Sequence, residues 1–203
     1  MCMKRLAVTA IAVMVWAGFA SAQSITETTA SFNKEEKPAM ALTMDFSKKL
    51  MDEAVTNHFK ADKQKAKAAN GMMLYAKMTY AGLCVKNCDV YTKIDGSSKN
   101  STLYIFVQRE NGNFVVPGDD EIPCIKDFLK KISEEVVALD LQYQIEEQTK
   151  VYEKAVKEYD KLVDKKEDLQ KELRNTEKEI SEADSYKKQQ KAILDQLKAK
   201  VKK

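Results

Sequence analysis

The chain is poor in the residues and motifs that mark the common enzyme classes. It has a single histidine, His58, and no C-x-x-C-H, which excludes covalent haem attachment. None of its six glycines builds a phosphate-cradling loop, and neither G-x-S-x-G nor H-E-x-x-H occurs. The only tryptophan, Trp16, lies in a segment expected to be removed. Charge of one sign is also scarce. The formal charge of +3 falls to +1 once Lys4 and Arg5 leave with that segment, too little clustered positive charge for nucleic-acid binding. Most telling is the last third: after Pro123 there is neither a glycine nor a proline. Nothing breaks a helix there.

The removed segment is residues 1–22. Lys4 and Arg5 form its basic start, an uncharged apolar run follows from Leu6 to Phe19, and Ala20-Ser21-Ala22 is a small-residue cleavage pattern. The run is short for a bilayer span of about 20 residues, and no later stretch is apolar enough to be one. The mature chain is expected to begin at Gln23 as an exported, periplasmic or secreted protein, with no membrane span left. Cysteines 84, 88 and 124 remain.

Residues 23–38 are rich in Thr, Ser and Glu and read as a flexible leader. From there Met40, Leu42 and Met44 alternate with polar or small neighbours, the period of a strand. Ser47 then makes an N-cap for a helix whose apolar face is Leu50, Met51, Ala54, Val55 and Phe59, ending near Ala61. Residues 62–70 look like a solvated connection. Three strands follow, over 72–83, 89–94 and 102–109, separated by tight turns. In the first of them Met72, Leu74, Ala76 and Met78 are expected on one face, Met73 and Tyr75 on the other. Asn111-Gly112 is a strong hairpin signal, with Phe114-Val115-Val116 as a short returning edge. The class is α+β: a small antiparallel sheet in the order β-α-β-β-β-(β)-α, covered by helices and continued by a long C-terminal helix. The α+β domain is placed at 39–143, its second helix facing the sheet through Ile125, Leu129, Ile132, Val136 and Leu139, and a coiled-coil rod at 144–203.

The run Asp89-Val90-Tyr91-Thr92-Lys93-Ile94, then Thr102-Leu103-Tyr104-Ile105-Phe106, then the Lys/Glu-rich helix resembles a group of exported Bacteroidetes-type proteins. Those proteins combine a signal peptide, an α+β domain and a C-terminal coiled coil, and the strand order is similar to half of a TBP-like fold. The resemblance implies architecture and carries no catalytic residues.

From Tyr152 a heptad holds to the end of the chain. Its a positions include Tyr152, Tyr159, Leu173, Ile180, Leu194 and Val201, and its d positions include Leu162, Leu169 and Leu197. Eleven of the fifteen a and d residues are apolar. These nine residues are the candidate interface with a second copy or another helical protein. A parallel in-register pair would set Glu172 against Glu177 and Glu179 against Asp184. The charge gradient favours an antiparallel pair: residues 119–147 hold nine acids and three bases, residues 187–203 seven bases and one acid. The same gradient also suits the macrodipole of a single helix. A fold-back within 175–185 is the remaining option.

Cys84 and Cys88 flank a short turn and form the disulfide candidate in an exported protein. A redox pair or two buried thiols are the other readings, and Cys124 follows Pro123 at a helix start. No zinc spacing is present, so no metal, cofactor or catalytic residue is assigned. Three functions stay open: an interaction protein assembled by its helix, a ligand-binding module on a Met/Tyr-lined sheet face, and a thiol redox protein. The first is the leading expectation, and it is not an enzyme.

Overall fold

The computed structural model describes residues 23–201; the expected signal segment, 1–22, lies outside the described residues. Six strands and two helices follow one another: β1 (Ser24–Phe32), β2 (Glu35–Met44), α1 (Lys48–Ala61), β3 (Ala66–Ala69), β4 (Met72–Tyr80), β5 (Val85–Gly96), β6 (Ser101–Gln108) and α2 (Ile122–Val201). The strands form one antiparallel sheet in the order β1-β2-β6-β5-β4-β3. After β2 the chain crosses through α1 to the far edge, then walks back strand by strand until β6 pairs with β2. The α+β class is thus realised, with two strands that the sequence did not suggest and without the short return strand that it did.

Both additions are edges. Residues 23–38, expected as a flexible leader, instead contain β1, which pairs with β2 from Ser24↔Thr43 to Phe32↔Glu35. Its Thr and Ile residues suit a pleated strand. It escaped notice because most of its side chains face solvent and bury little. β3, in the expected solvated connection, is four residues of Ala and Lys with no buried side chain. Edge strands gain from one neighbour only, so their sequences carry little apolar signal. By contrast, the expected return strand at 114–116 reduces to a single bridge, Gln108↔Phe114.

α1 is built as its sequence suggests. The Ser47 side chain accepts a hydrogen bond from the Leu50 amide at 3.2 Å, capping the helix. Leu50, Met51, Ala54, Val55 and Phe59 are its buried face. The first turns of α2 bury Ile125, Phe128, Leu129, Ile132 and Val136, while Leu139 is partly buried at the margin. Against them the sheet presents Met40, Leu42 and Met44 of β2, Leu103, Ile105 and Val107 of β6, and Val90 of β5. Phe59 stacks on Tyr75 with ring centroids 3.7 Å apart.

β4 departs from simple alternation. Tyr75 and Met78 both enter the core although they are three residues apart, because the register with β5 shifts between them. Lys77 takes φ +52° at that bulge, and its amide donates to Asp89 Oδ1 at 2.8 Å. The expected grouping of Met78 with Met72 and Leu74 on one face is therefore corrected. One extra residue reverses which face every later side chain takes.

Candidate interaction surface

α2 runs unbroken for 80 residues, so no fold-back turn interrupts 175–185. The described chain divides after Gln142 into two compact units, of which the second, from Tyr143 onward, is made of helix alone. This unit carries the candidate stripe. Tyr152, Tyr159, Leu162, Leu169, Leu173, Ile180, Leu194 and Leu197 are all between 50% and 68% exposed. Val201, the ninth candidate, ends the helix. Ile145, 58% exposed, occupies the a position one heptad before Tyr152 and extends the stripe towards the N-terminus. Val151 and Ile193, 56% and 49% exposed, flank it. A helix of mixed charge needs none of these residues for its own backbone. Scattered exposed apolar residues are ordinary, but a heptad of them is the pattern of a helix–helix seam.

The cysteines are arranged differently from expectation. Cys84 bonds Cys124, 40 residues away, with Cα atoms 5.9 Å apart. Cys88 is free, fully buried, and directs its thiol to the Met78 carbonyl oxygen at 3.6 Å. The physical reason lies in two further positive-φ residues, Cys84 itself at +54° just before β5 and Asn87 at +50° within it. In a regular strand Cys84 and Cys88 would share a face. Instead Val85 and Cys88 both turn inward, with Lys86 and Asn87 exposed between them, leaving Cys84 on the outside. Burial pushes the Cys88 thiol up to about 11, so it is a poor nucleophile. The Cys84–Cys88 disulfide is therefore corrected, and so is a redox pair built on those two residues. Cys124, in the first turn of α2, was half of the bond. The sequence signal that could have found it is compartment and number: three exported thiols leave an outer pair as open as an inner one.

The outer face of the sheet is filled. Ala39, Met72 and Phe106 are buried there, and Phe32 lies over them with its ring 4.8 Å from Tyr91, 5.3 Å from Phe106 and 5.0 Å from Phe114. In the plane of the sheet β1 and β5 are three strand spacings apart, about 14 Å. The hairpin tip must therefore curl over the sheet to bring Phe32 to Tyr91. Consistent with this, β2 stops pairing with β6 at Met40↔Ile105. The turn at the tip uses Asn33 and Lys34, both at positive φ. What stays open beside it is a cleft of about 530 Å³, lined by Ser31, Asn33, Lys34, Asn70, Met72 and Lys93. That lining is polar and lysine-bearing rather than apolar.

Two polar clusters complete the sheet unit. His58 is nearly buried, its Nδ1 2.8 Å from Glu135 Oε1 and its Nε2 3.9 Å from Asp62 Oδ2, beside an open cleft of about 320 Å³. Arg109 donates through Nε and Nη2 to both oxygens of Glu121, at 3.0 and 2.8 Å, and through Nη2 to Asp119 at 2.6 Å. The Val116 amide, first, and then Arg109 hold the Asp119 carboxyl below the usual carboxylate range. Arg109 does the same to Glu121. This cluster ties the loop after β6 to the start of α2. Among the described residues no group of three or more His, Cys, Asp or Glu is placed to hold a metal ion, and no helix is long and apolar enough to cross a membrane.

No family model, no curated protein and no solved structure matches the chain.

Proposed function

We propose that this is an exported, non-enzymatic interaction protein of the bacterial envelope, in which the α+β unit is carried by a helix that assembles with a helical partner. The observation that carries this reading is the exposed heptad stripe on the unit from Tyr143 onward. A filled outer sheet face supports it against the ligand-module reading, because Phe32 occupies the place where an apolar ligand would lie. The Cys84–Cys124 bond fits an oxidising compartment, in keeping with the cleavage pattern at Ala20-Ser21-Ala22.

The test is sedimentation equilibrium on the mature chain beside a chain ending at Gln142. The full chain should show a mass above that of one chain, or acquire it on adding a helical partner. The short chain should stay monomeric and still melt cooperatively, since its core lies within it. Helix-mediated assembly is overturned if the short chain associates as strongly as the full one. N-terminal sequencing of the recovered protein, expected to start at Gln23, tests export.

A further inference from the structure

We propose that the partner is a second copy of this chain, bound antiparallel in one register, with Leu169 of each helix against Leu173 of the other. The proposal rests on the reading of the stripe as an assembly seam and adds the occupant, the direction and the alignment.

In an antiparallel pair an a residue of one helix lies against a d residue of the other, and flanking residues meet g to g and e to e. With Leu169 opposite the partner's Leu173, the layers outward are Lys166 with Thr176, Leu162 with Ile180, and Tyr159 with Ala183. Apolar meets apolar, the bulky tyrosine meets a small residue, and the lysine meets the one threonine of the seam. At the flanks Lys165 meets the partner's Glu179, and Val151 meets Ile193; each pair occurs twice by symmetry. Val151 and Ile193 are two of the exposed apolar residues that lie off the a and d positions; Val156 and Tyr186 are others, and they meet Asp184 and Glu158. Among the charged flank pairs only Glu172, which meets its own copy on the axis, is like-charged; further out the seam sets Ala155 against Lys187 and Tyr152 against Gln190.

The neighbouring registers are worse. Sliding one heptad in one direction puts Glu158 against Glu179 twice, offset in part by Lys165 against Glu172, and in the other direction puts Glu172 against Glu179 twice with no offsetting pair. The parallel pair suffers Glu172–Glu177 and Glu179–Asp184 contacts, also twice each. Like charges facing each other select against an alignment even where exposed pairs contribute little attraction. Antiparallel pairing also brings the basic end of the helix, 187–203, alongside the stretch containing Asp140, Glu146 and Glu147.

The test uses the mature chain with Cys84–Cys124 intact. Leu162→Cys and Ile180→Cys are made separately, then each is oxidised alone and as an equimolar mixture. The expected result is a dimeric mass for all, with interchain disulfide forming only in the mixture. Efficient linkage of either variant to itself at dimeric mass overturns the direction while leaving assembly in place. Linkage of Leu162→Cys to Leu173→Cys, or of Ile180→Cys to Leu169→Cys, in preference to the first pair overturns the register. A monomer at 100-fold the concentration of the other arms overturns self-association itself. Charge gives a second readout: Lys165→Glu should weaken the dimer about tenfold at low salt, and adding Glu179→Lys should restore it. Absence of that rescue overturns the flank assignment.

Discussion

One helix passes through two environments. Between Ile125 and Val136 its apolar residues are almost wholly inaccessible, whereas from Ile145 to Leu197 the large apolar a and d residues of the same helix are at least half exposed. Local sequence does not separate the two stretches: both are regular, rich in Lys and Glu, and apolar on one side. The difference is what lies across from that side. The first stretch meets Met40, Leu42, Ile105 and Val107 on a sheet, whereas the large apolar residues of the second are left exposed. Periodicity thus reports that a face exists, while burial reports whether its counterpart belongs to the same molecule.

The sharpest way to break this comparison is one aromatic substitution on each side. Phe59→Ala removes a fully buried ring stacked on Tyr75 and should destabilise the sheet unit by roughly 3–5 kcal/mol, read from urea unfolding. Tyr159→Ala, at 68% exposure, should leave that transition unmoved and shift only the concentration dependence of assembly. If both moved the same transition, the two regions would not be separate folding units. Somewhat smaller is the loss of the staple. Cys84→Ser should cost about 2–5 kcal/mol, since the bond closes a long loop, and the unreduced parent should yield no alkylated thiol until it is unfolded. Labelling of Cys88 in the native parent would contradict its burial.

Gly96→Ala follows. At φ +144° a new Cβ would stand 2.4 Å from the Asn100 carbonyl oxygen, so the β5–β6 turn must shift. The expected cost is about 1–3 kcal/mol, confined to the sheet unit. The smallest effect is electrostatic. Asp119 and Glu121 have lowered carboxyl values, so their contribution is present above the ordinary carboxylate pKa near 4 and is lost as pH falls through the folded values. Arg109→Met should therefore flatten the acid limb of the stability–pH profile below about pH 4 and lower the plateau above it. A parallel, undiminished acid limb would assign that limb to other carboxylates.

What the residues revealed by themselves was whatever a single element decides. The α1 face from Leu50 to Phe59, its Ser47 cap, the Met40–Leu42–Met44 side of β2 and the helical nature of α2, though not its continuity through 175–185, were readable from spacing and composition. What depends on two elements meeting was not. β1 and β3 are strands because β2 and β4 offer them hydrogen bonds, and their own side chains hardly register it. Phe128, fully buried beside Phe59, lies on α2 just outside the set first assigned to its core. The disulfide escapes a reading by alternation for the same reason: Lys77, Cys84 and Asn87 at positive φ reset strand parity, and of the three only Asn87 is of a type that favours that backbone.

The Cys84–Cys124 bond also sets a problem of sequence order for the maturing chain. A polypeptide that enters an oxidising space amino end first presents Cys84 and Cys88 together, well before Cys124 arrives. Joining thiols in order of arrival would give the neighbouring pair and strand Cys124. In the finished fold that pairing is closed off, because Cys84 stays outside while Cys88 lies in the core beside Met78. The finished fold thereby acts as an editor of its own oxidation: it hides the wrong thiol and holds the right one against the helix that bears its mate.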